Sequence, residues 1–544
     1  MGKFSSLKKL IPFIKKYSTI FTLGIIGMIF SSIISTPIPY IIGRIMDKVL
    51  IVKGSYNEFY KLIFIIAILY ILRYIISIVS QYMFVKISNL VVNEMRYSVM
   101  SKVMDLPMDY LSTTQKGYIE ARISECSSVG SIFSPQIVGI FLSLIDTILA
   151  LITMFIINYK LSIIVLLLTP IFFIASKKSA DGFMKNTEKL LESSAVLNGD
   201  TFEILNGIED IKILNGKNTT LSKFKNKLHN LIKDSTKQSK SILMFIENIT
   251  IINNFGTLLI LFLSGLLILK GKFTVGLYTS FSLYIAKVFS STQSLATLGT
   301  TIKPVCLSIE RIYELLNMED EQGGKNICLN ETIQGITINN LTFSYKNSEK
   351  LILKNLNLKI QRGNKLLIKG ENGSGKSTFI KLLLGLYNPT EGNIFYNNLD
   401  IMKINTHSLR SKIGIVSQNI FLFKGTVLEN ILYGEENKNR EDVKRVIKDL
   451  KLTEYINKLP KGLDTEISQN TVGVSGGQAQ VISFIRAMVS NKDVIILDEP
   501  ISNVDTETRE IILNVLRNKK TDGILIIISH ITEGIDFIDK IIEI

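Results

Sequence analysis

Six apolar stretches, at residues 17–43, 60–85, 132–157, 161–176, 244–269 and 273–298, alternate with polar segments along the first 300 residues. Crossing a bilayer takes about 20 apolar residues, so the pattern predicts six membrane-spanning helices. The third and fourth are separated only by Asn158, Tyr159 and Lys160, and the last two by Lys270, Gly271 and Lys272. Each pair must therefore form a hairpin with its turn on one membrane face. The opposite face receives two long polar segments, 86–131 and 177–243, which mix apolar and charged positions with few helix breakers, as in Val91, Val92, Asn93, Glu94, Met95 and Arg96. Structureless loops of that length are uncommon. Helices that extend out of the membrane are expected instead, turning over at short transverse segments near 108–116 and 205–212.

After residue 302 the rhythm changes. Residues 308–318 read as a linker helix that ends at an acidic, glycine-containing stretch, 319–325. From residue 331 onward, β-rich runs such as Val494 to Leu497 and Ile524 to Ile528 are bounded by polar turns and alternate with helical segments. The expected boundaries are a transmembrane domain over 1–307, a linker over 308–330 and a soluble α/β domain over 331–544.

Charge adds an orientation. The chain of 544 residues carries 62 Lys and Arg against 47 Asp and Glu, a net +15 that taken alone would suit a nucleic-acid partner. Twelve of those lysines fall between residues 177 and 240, and Lys3, Lys8, Lys9, Lys15 and Lys16 precede the first span. The positive-inside rule makes that face and the N-terminus cytoplasmic, so topology accounts for the charge and no nucleic acid is expected. The first apolar run is too long for a signal peptide and lacks a small-residue cleavage site, which makes it a retained helix. Cys126, Cys306 and Cys328 form no CxxC pair and have no clustered His, so they are read as reduced cytosolic thiols.

The chemistry sits in the α/β domain. Gly370, Glu371, Asn372, Gly373, Ser374, Gly375, Lys376 and Ser377 spell a complete GxxxxGK[ST] loop between an expected strand and an apolar helix that starts at Thr378. Its glycines let backbone N–H groups curl around phosphate oxygens, Lys376 offers a cation to the β- and γ-phosphates, and Ser377 offers an oxygen to Mg²⁺. Asp498 and Glu499 emerge at the end of a buried strand. An Asp there can hold Mg²⁺ through water, and a Glu beside it can polarise the water that attacks the γ-phosphate. Alone, two acids after a strand are a weak signal; behind a phosphate loop they point to ATP hydrolysis.

Between these motifs stands Val474, Ser475, Gly476, Gly477 and Gln478, and with it the chain resembles the ATP-binding cassette (ABC) transporters, in the exporter arrangement with membrane helices first. The resemblance implies a multidomain membrane protein: an all-α six-helix transmembrane domain with long cytoplasmic extensions, then an α/β phosphate-loop ATPase domain. It also implies that Ser475, Gly476, Gly477 and Gln478 contact a γ-phosphate held by another subunit, so that a second half-transporter is required. Tyr345 would stack on adenine, Gln418 would sense Mg²⁺ and the attacking water, and His530 would touch the γ-phosphate. Asp505 would lie in the loop joining two ATP sites, and residues 421–430 would form the surface that receives the transverse helices. Taken singly, Tyr345 is an ordinary strand aromatic, Gln418 a surface amide and His530 a turn histidine; their sequential order gives them these roles. The chain departs from the family at Ala479 and Val481, where basic residues are usual, at 468–471, where a Glu is usual, and in stopping just after its last strand.

The expected function is thus that of a homodimeric exporter in a bacterial plasma membrane, driven by ATP and Mg²⁺ and moving peptides or drugs, with a lipid flippase or an ATP-gated channel or membrane sensor as alternatives. No domain precedes the first span, so a fused leader-peptide protease is not expected. Four ionisable groups lie within the spans: Arg73, Asp146, Glu247 and Lys287. They either line the substrate cavity or form internal pairs, Arg73 with Asp146 and Glu247 with Lys287.

Overall fold

The structure, a computed structural model, describes residues 5–544 apart from 53, 115, 322–326, 347, 349, 372, 468–474, 503, 519–521 and 531–533. The chain divides into two compact units, Met1–Ser101 with Gly117–Asn317 and Lys102–Lys116 with Met318–Ile544.

Long helices build the first unit. They include α1 (Ser18–Ser35), α2 (Ile38–Ile45), α3 (Tyr56–Asp105) and, beyond the short α4 (Met108–Thr113) of the second unit, α5 (Pro135–Ile157), α6 (Tyr159–Asn206), α8 (Lys217–Leu269) and α9 (Val275–Leu316), with the short α7 (Ile208–Ile213) between α6 and α8. Pro37 interrupts α1 and α2 because it lacks the N–H that an interior helix position must donate. Among the described residues four stretches are long and apolar enough to cross a membrane: Ser18–Ile51, Tyr56–Asp105, Gly117–Ile157 and Lys217–Leu269. The fourth and sixth expected spans fall on α6 and α9, helices of 48 and 42 residues.

Both expected hairpins have a local cause. Asn158 leaves the helical region, and its side-chain oxygen accepts from the N–H groups of Lys160 and Leu161, capping α6. Between α8 and α9 the chain turns at Gly271, whose φ of 66° suits glycine, and Thr274 Oγ1 accepts from Leu277 N to cap α9. Beyond the apolar stretches α6 and α8 continue side by side, joined by Ser193 to Asp234 at 2.7 Å, Asn186 to Ser241 at 2.6 Å and the ion pair Lys227–Asp200. At their far end α7 turns over and leaves Ile213 and Leu214 exposed. These are the extended helices and the transverse segment that the polar loops promised.

Lipid offers no water-exclusion gain between helices, so close approach of small residues matters more there. A β-carbon on Gly24 would lie 3.0 Å from the Phe84 ring, and one on Gly276 would collide with the Gly43 carbonyl and the Asp47 carboxylate. Asp47 Oδ1 in turn accepts from Gly276 N at 2.7 Å, closing the α2–α9 crossing.

The second unit is a cassette of two main sheets, with a small two-stranded one where Gly425–Thr426 pairs with Glu466–Ile467. The strands of the main sheets are β1 (Gly335–Phe343), β2 (Leu353–Gln361), β3 (Lys365–Lys369), β4 (Glu391–Tyr396), β5 (Leu399–Asp400), β6 (Ile413–Val416), β7 (Val494–Asp498), β8 (Ile524–Ile528) and β9 (Lys540–Glu543), and the principal helices are α10 (Lys376–Leu383), α11 (Gly476–Ser490) and α12 (Thr506–Asn518). The antiparallel sheet has the order β2–β1–β4–β5 and the parallel sheet β9–β3–β8–β7–β6. Side chains along the parallel strands alternate between two cores: Leu366, Ile368, Ile496, Ile526 and Ile528 enter one, and Leu367, Ile495, Leu497 and Ile527 the other. Both faces are covered, which is why these runs are apolar without interruption.

Helix α4 belongs to this unit. Met108 packs on the core cluster that also carries Tyr345 and Tyr387, Asp105 O accepts from Glu321 N at 2.8 Å, Lys102 pairs with Asp320, and Asp109 lies 3.9 Å from Lys346. The first transverse helix is therefore seated beside Tyr345. The segment 421–430, expected to receive such helices, presents Phe421 and Phe423 exposed, with Phe423 stacked on Tyr433 at 3.9 Å.

Candidate nucleotide site

Strand register assembles the site. In the parallel sheet Ile528 is opposite both Ile368 and Asp498, and Val416 is opposite Leu497. The carboxyl ends of β3, β6, β7 and β8 are thereby level, where open α/β sheets bind ligands. The phosphate loop leaves β3, Gln418 follows β6, Asp498 and Glu499 end β7, and His530 follows β8. These residues line one cleft of about 190 Å³ together with Ile352, Gly373, Gly375, Lys376, Ser377 and Thr378.

The loop has the form a phosphate needs. Gly373 and Gly375 have φ of 83° and 110°, and a β-carbon on Gly375 would come within 3.0 Å of Ile352 and Leu353. Lys376 is buried, and its Nζ donates to the carbonyls of Gly370 and Glu371, each at 2.8 Å. It forms no ion pair among the described residues, so a buried cation has only neutral partners. Ser374 Oγ is buried without a partner. An anion would satisfy both groups, together with the N–H groups that open α10. Asn372 lies outside the described residues.

Asp498 is nearly inaccessible, and burial, followed by the neighbouring charge of Glu499, pushes its pKa up to about 6. A carboxylate forced to ionise in a dry cleft is favoured by an adjacent cation. The hydroxyl of Ser377, the amide of Gln418 and the carboxyl of Asp498 make an all-oxygen donor set, which suits Mg²⁺.

Glu499 has φ of 53°, a left-handed backbone for a residue with a β-carbon. Its N–H donates to Ile528 O at 2.9 Å, and its carbonyl accepts from Ser502 Oγ at 3.1 Å and from the Gln480 side chain. His530 Nε2 lies 3.1 Å from Glu499 Oε1. The chain's own contacts thus aim Glu499 into the cleft, with His530 as its partner. Gln480 was missed in the sequence. Its signal is an amide on the buried side of α11, in line with the core residues Val481, Phe484 and Ile485. The same burial accounts for Val481, one of the departures from the family pattern; residues 468–471 and Val474 lie outside the described residues.

Other expected site residues stand apart from the cleft. Tyr345 rests edge-on against Phe343 and Tyr387, with its hydroxyl 3.0 Å from Thr378 Oγ1 at the start of α10. Asp505 accepts from Thr508 N at 2.8 Å, and that bond and the Thr508 hydroxyl hold its pKa below the usual carboxylate value. Ser475 and Gln478 form a reciprocal capping box at the N-terminus of α11, beside Gly476 and Gly477. Among the described residues, none lining the cleft comes from this signature loop. From the body of α11, Arg486 donates through Nε to Asn430 O at 2.7 Å, and the Asn430 amide bonds Phe423 O at 2.9 Å, tying the helix to the aromatic segment.

Comparison with known proteins agrees with this geometry. Residues 21–293 match the family described as ABC transporter transmembrane region, and residues 353–502 match the one described as ABC transporter; the chain belongs to the ABC transporters. With both parts fused it is an exporter-type half-transporter, a multi-pass membrane protein that binds ATP and couples its hydrolysis to transport. It is 28% identical over 539 residues to the lactococcin-A transport/processing ATP-binding protein LcnC of Lactococcus lactis subsp. lactis, covering 97% of this chain and 73% of that one. An ATP-dependent lipid A-core flippase of Photorhabdus laumondii is 27% identical over 480 residues, 88% and 83% of the two chains. A protein of Bacillus subtilis named putative multidrug export ATP-binding/permease protein YgaD is 25% identical over 545 residues, 98% and 94%.

Proposed function

We propose that two copies of this chain form the working exporter in a bacterial plasma membrane, with the cassette and the N-terminus in the cytosol. The observation that carries this reading is the separation of two features suited to phosphate: the cleft is lined by Lys376, Ser377, Asp498 and Glu499, while Ser475, Gly476, Gly477 and Gln478 at the start of the signature helix do not line it. A 15-residue helix carries partial positive charge at its N-terminus, which attracts anions. A second copy brings its Ser475, Gly476, Gly477 and Gln478 over the first copy's γ-phosphate, and the reverse, giving two composite sites.

In each site Lys376 and the loop N–H groups hold the phosphates. Ser377, Gln418 and Asp498 would hold Mg²⁺, which supplies charge neutralisation at the β- and γ-phosphate oxygens. Glu499 orients the attacking water and accepts its proton, and His530 shifts from Glu499 to the γ-phosphate. Tyr345 turns from Thr378 to stack on the base. Asp505, beside the second copy's site, links the two. Once the γ-phosphate leaves, the facing loops lose the charge that joined them, and the membrane cavity changes the side on which it opens. Peptides or drugs are the substrates favoured, supported by relatives named for lactococcin-A transport and putative multidrug export, with lipid flipping as the second reading, supported by the flippase.

Glu499→Gln tests the core of this reading. The purified variant in liposomes should bind ATP with wild-type affinity, hold a closed dimer and lose turnover. Wild-type hydrolysis in that variant, or full-speed hydrolysis by a strictly monomeric protein, would remove the proposal.

A further inference from the structure

We infer that a polar cluster at mid-depth in the membrane unit is a subsite for the anionic head, carboxylate or phosphate, of an amphiphilic substrate. The inference rests on the export reading above and narrows its substrate class.

Three ionisable residues from three helices meet there. Asp146 stands midway along α5, Arg73 between residues 60 and 85 of α3, and Lys287 between residues 273 and 298 of α9, so each is near the centre of its apolar stretch. Arg73 Nη2 lies 3.7 Å from Asp146 Oδ2. Lys287 Nζ reaches Ser35 Oγ at 3.3 Å and Ser35 O at 3.4 Å, and Ser35 Oγ in turn lies 3.4 Å from Asp146 Oδ1. Neighbouring bonds fix this level: Tyr284 Oη donates to Thr36 O at 2.6 Å and Ser291 Oγ to Ser143 O at 2.8 Å. One half of the internal-pair expectation holds, Arg73 with Asp146. The other does not: Glu247 is exposed on α8 and forms no ion pair among the described residues, and Lys287 has turned to the Ser35–Asp146 side.

The cluster therefore holds two cations against one carboxylate. All its polar contacts are long, and the Ser35 hydroxyl has a nearer acceptor in Ser32 O at 3.0 Å, so its single proton does little for Asp146. Charge at that depth is expensive unless paired or wetted, and one positive charge is left over. Donors wait beside it. Ser31 and Ser32, one turn before Ser35 on α1, are each 1% exposed, and neither Oγ has a hydrogen-bond partner. A hydroxyl in an apolar helix ordinarily bonds back to the preceding turn, as Ser35, Thr36 and Ser143 do here. Two orphan hydroxyls within one helical turn of Ser35, which Lys287 contacts, together with an uncompensated cation, are what an anionic head with several oxygens would satisfy, and the surrounding apolar helices suit its acyl or aromatic body.

The test uses the full-length protein in phosphatidylcholine nanodiscs without nucleotide, reading equilibrium binding of N-dodecanoylglycine, its uncharged methyl ester and dodecyl phosphate. At least one anion should bind tenfold or more tightly than the ester, and the tighter of the two identifies carboxylate or phosphate as the head recognised. Lys287→Gln and Arg73→Gln should each weaken the anion at least fivefold and leave the ester alone, while Lys287→Arg keeps the affinity. Asp146→Asn, which removes the competing carboxylate, should tighten it. Equal binding of ester and anions to the wild type overturns the subsite, with no variant needing to fold; so does an Asp146→Asn protein that loses the anion as Lys287→Gln does. The export reading fails separately, if ATP drives no probe into inverted vesicles.

Discussion

Glu499 occupies a backbone shape that costs a residue with a β-carbon on the order of 1 kcal/mol, and the hydrogen bonds to its own main chain keep it there. Strain held by surrounding bonds at a reacting group is a means of preorganisation. Gln480, which donates to the Glu499 carbonyl from inside α11, is in this sense a positioning residue. Gln480→Leu should lower kcat roughly tenfold or more, about 1.4 kcal/mol in the barrier, and leave ATP affinity within twofold; a rise in KM with kcat intact would show that it serves binding instead. Asp498 pays for its place differently. Its folded pKa near 6 exceeds the unfolded 3.8, so the native state holds the proton more tightly, and the group's contribution to stability falls as pH rises from about 4 to about 6. Asp498→Asn should therefore stabilise the nucleotide-free protein at pH 7 by on the order of 3 kcal/mol, read as a raised melting temperature, with the gain shrinking towards pH 4 while hydrolysis is lost. Thermal unfolding across that pH range in detergent checks both sign and window.

Elements show which parts of the architecture were written locally. The two hairpins were legible because three-residue separations leave no other connection, and Asn158 and Gly271 supply the required cap and turn. The parallel strands were legible because their burial on both faces leaves an unbroken apolar run. The α2–α9 crossing was not: nothing in periodicity distinguishes Gly43 and Gly276, where two backbones touch, from Gly139, beside which a β-carbon would meet nothing within 4 Å. Gly276→Ala should accordingly cost about 1–3 kcal/mol of stability, as overpacking does, whereas Gly139→Ala should be neutral or slightly stabilising; melting temperatures of the two proteins in one detergent decide. The seat of α4 was equally hidden, because Met108, Asp105 and Asp109 find partners more than 200 residues away in the chain. Long-range pairing of this kind leaves no trace in a local pattern. The same limit separates the phosphate loop, a contiguous motif that could be read directly, from the Glu499–His530 contact, which depends on strand register.

For the whole molecule, the two-copy arrangement makes a prediction that a self-contained site does not. A chain carrying Lys376→Ala and a chain carrying Gly476→Asp each form homodimers in which both composite sites are damaged. Purified mixed dimers, selected by two affinity tags, hold one site with both lesions and one with neither. They should recover measurable ATP hydrolysis where neither homodimer has any; mixed dimers as inactive as the parents would contradict the sharing of sites between chains.

Met108 and Tyr345 pack on a single core cluster whose floor includes Tyr387. On the proposed reading, in which Tyr345 holds the base and α4 carries force towards the membrane helices, a hole made beneath them, by Tyr387→Ala for instance, would loosen the fuel grip and the linkage to the bilayer in one stroke. Genetic suppressors selected to repair either defect should then keep arriving at the same few side chains.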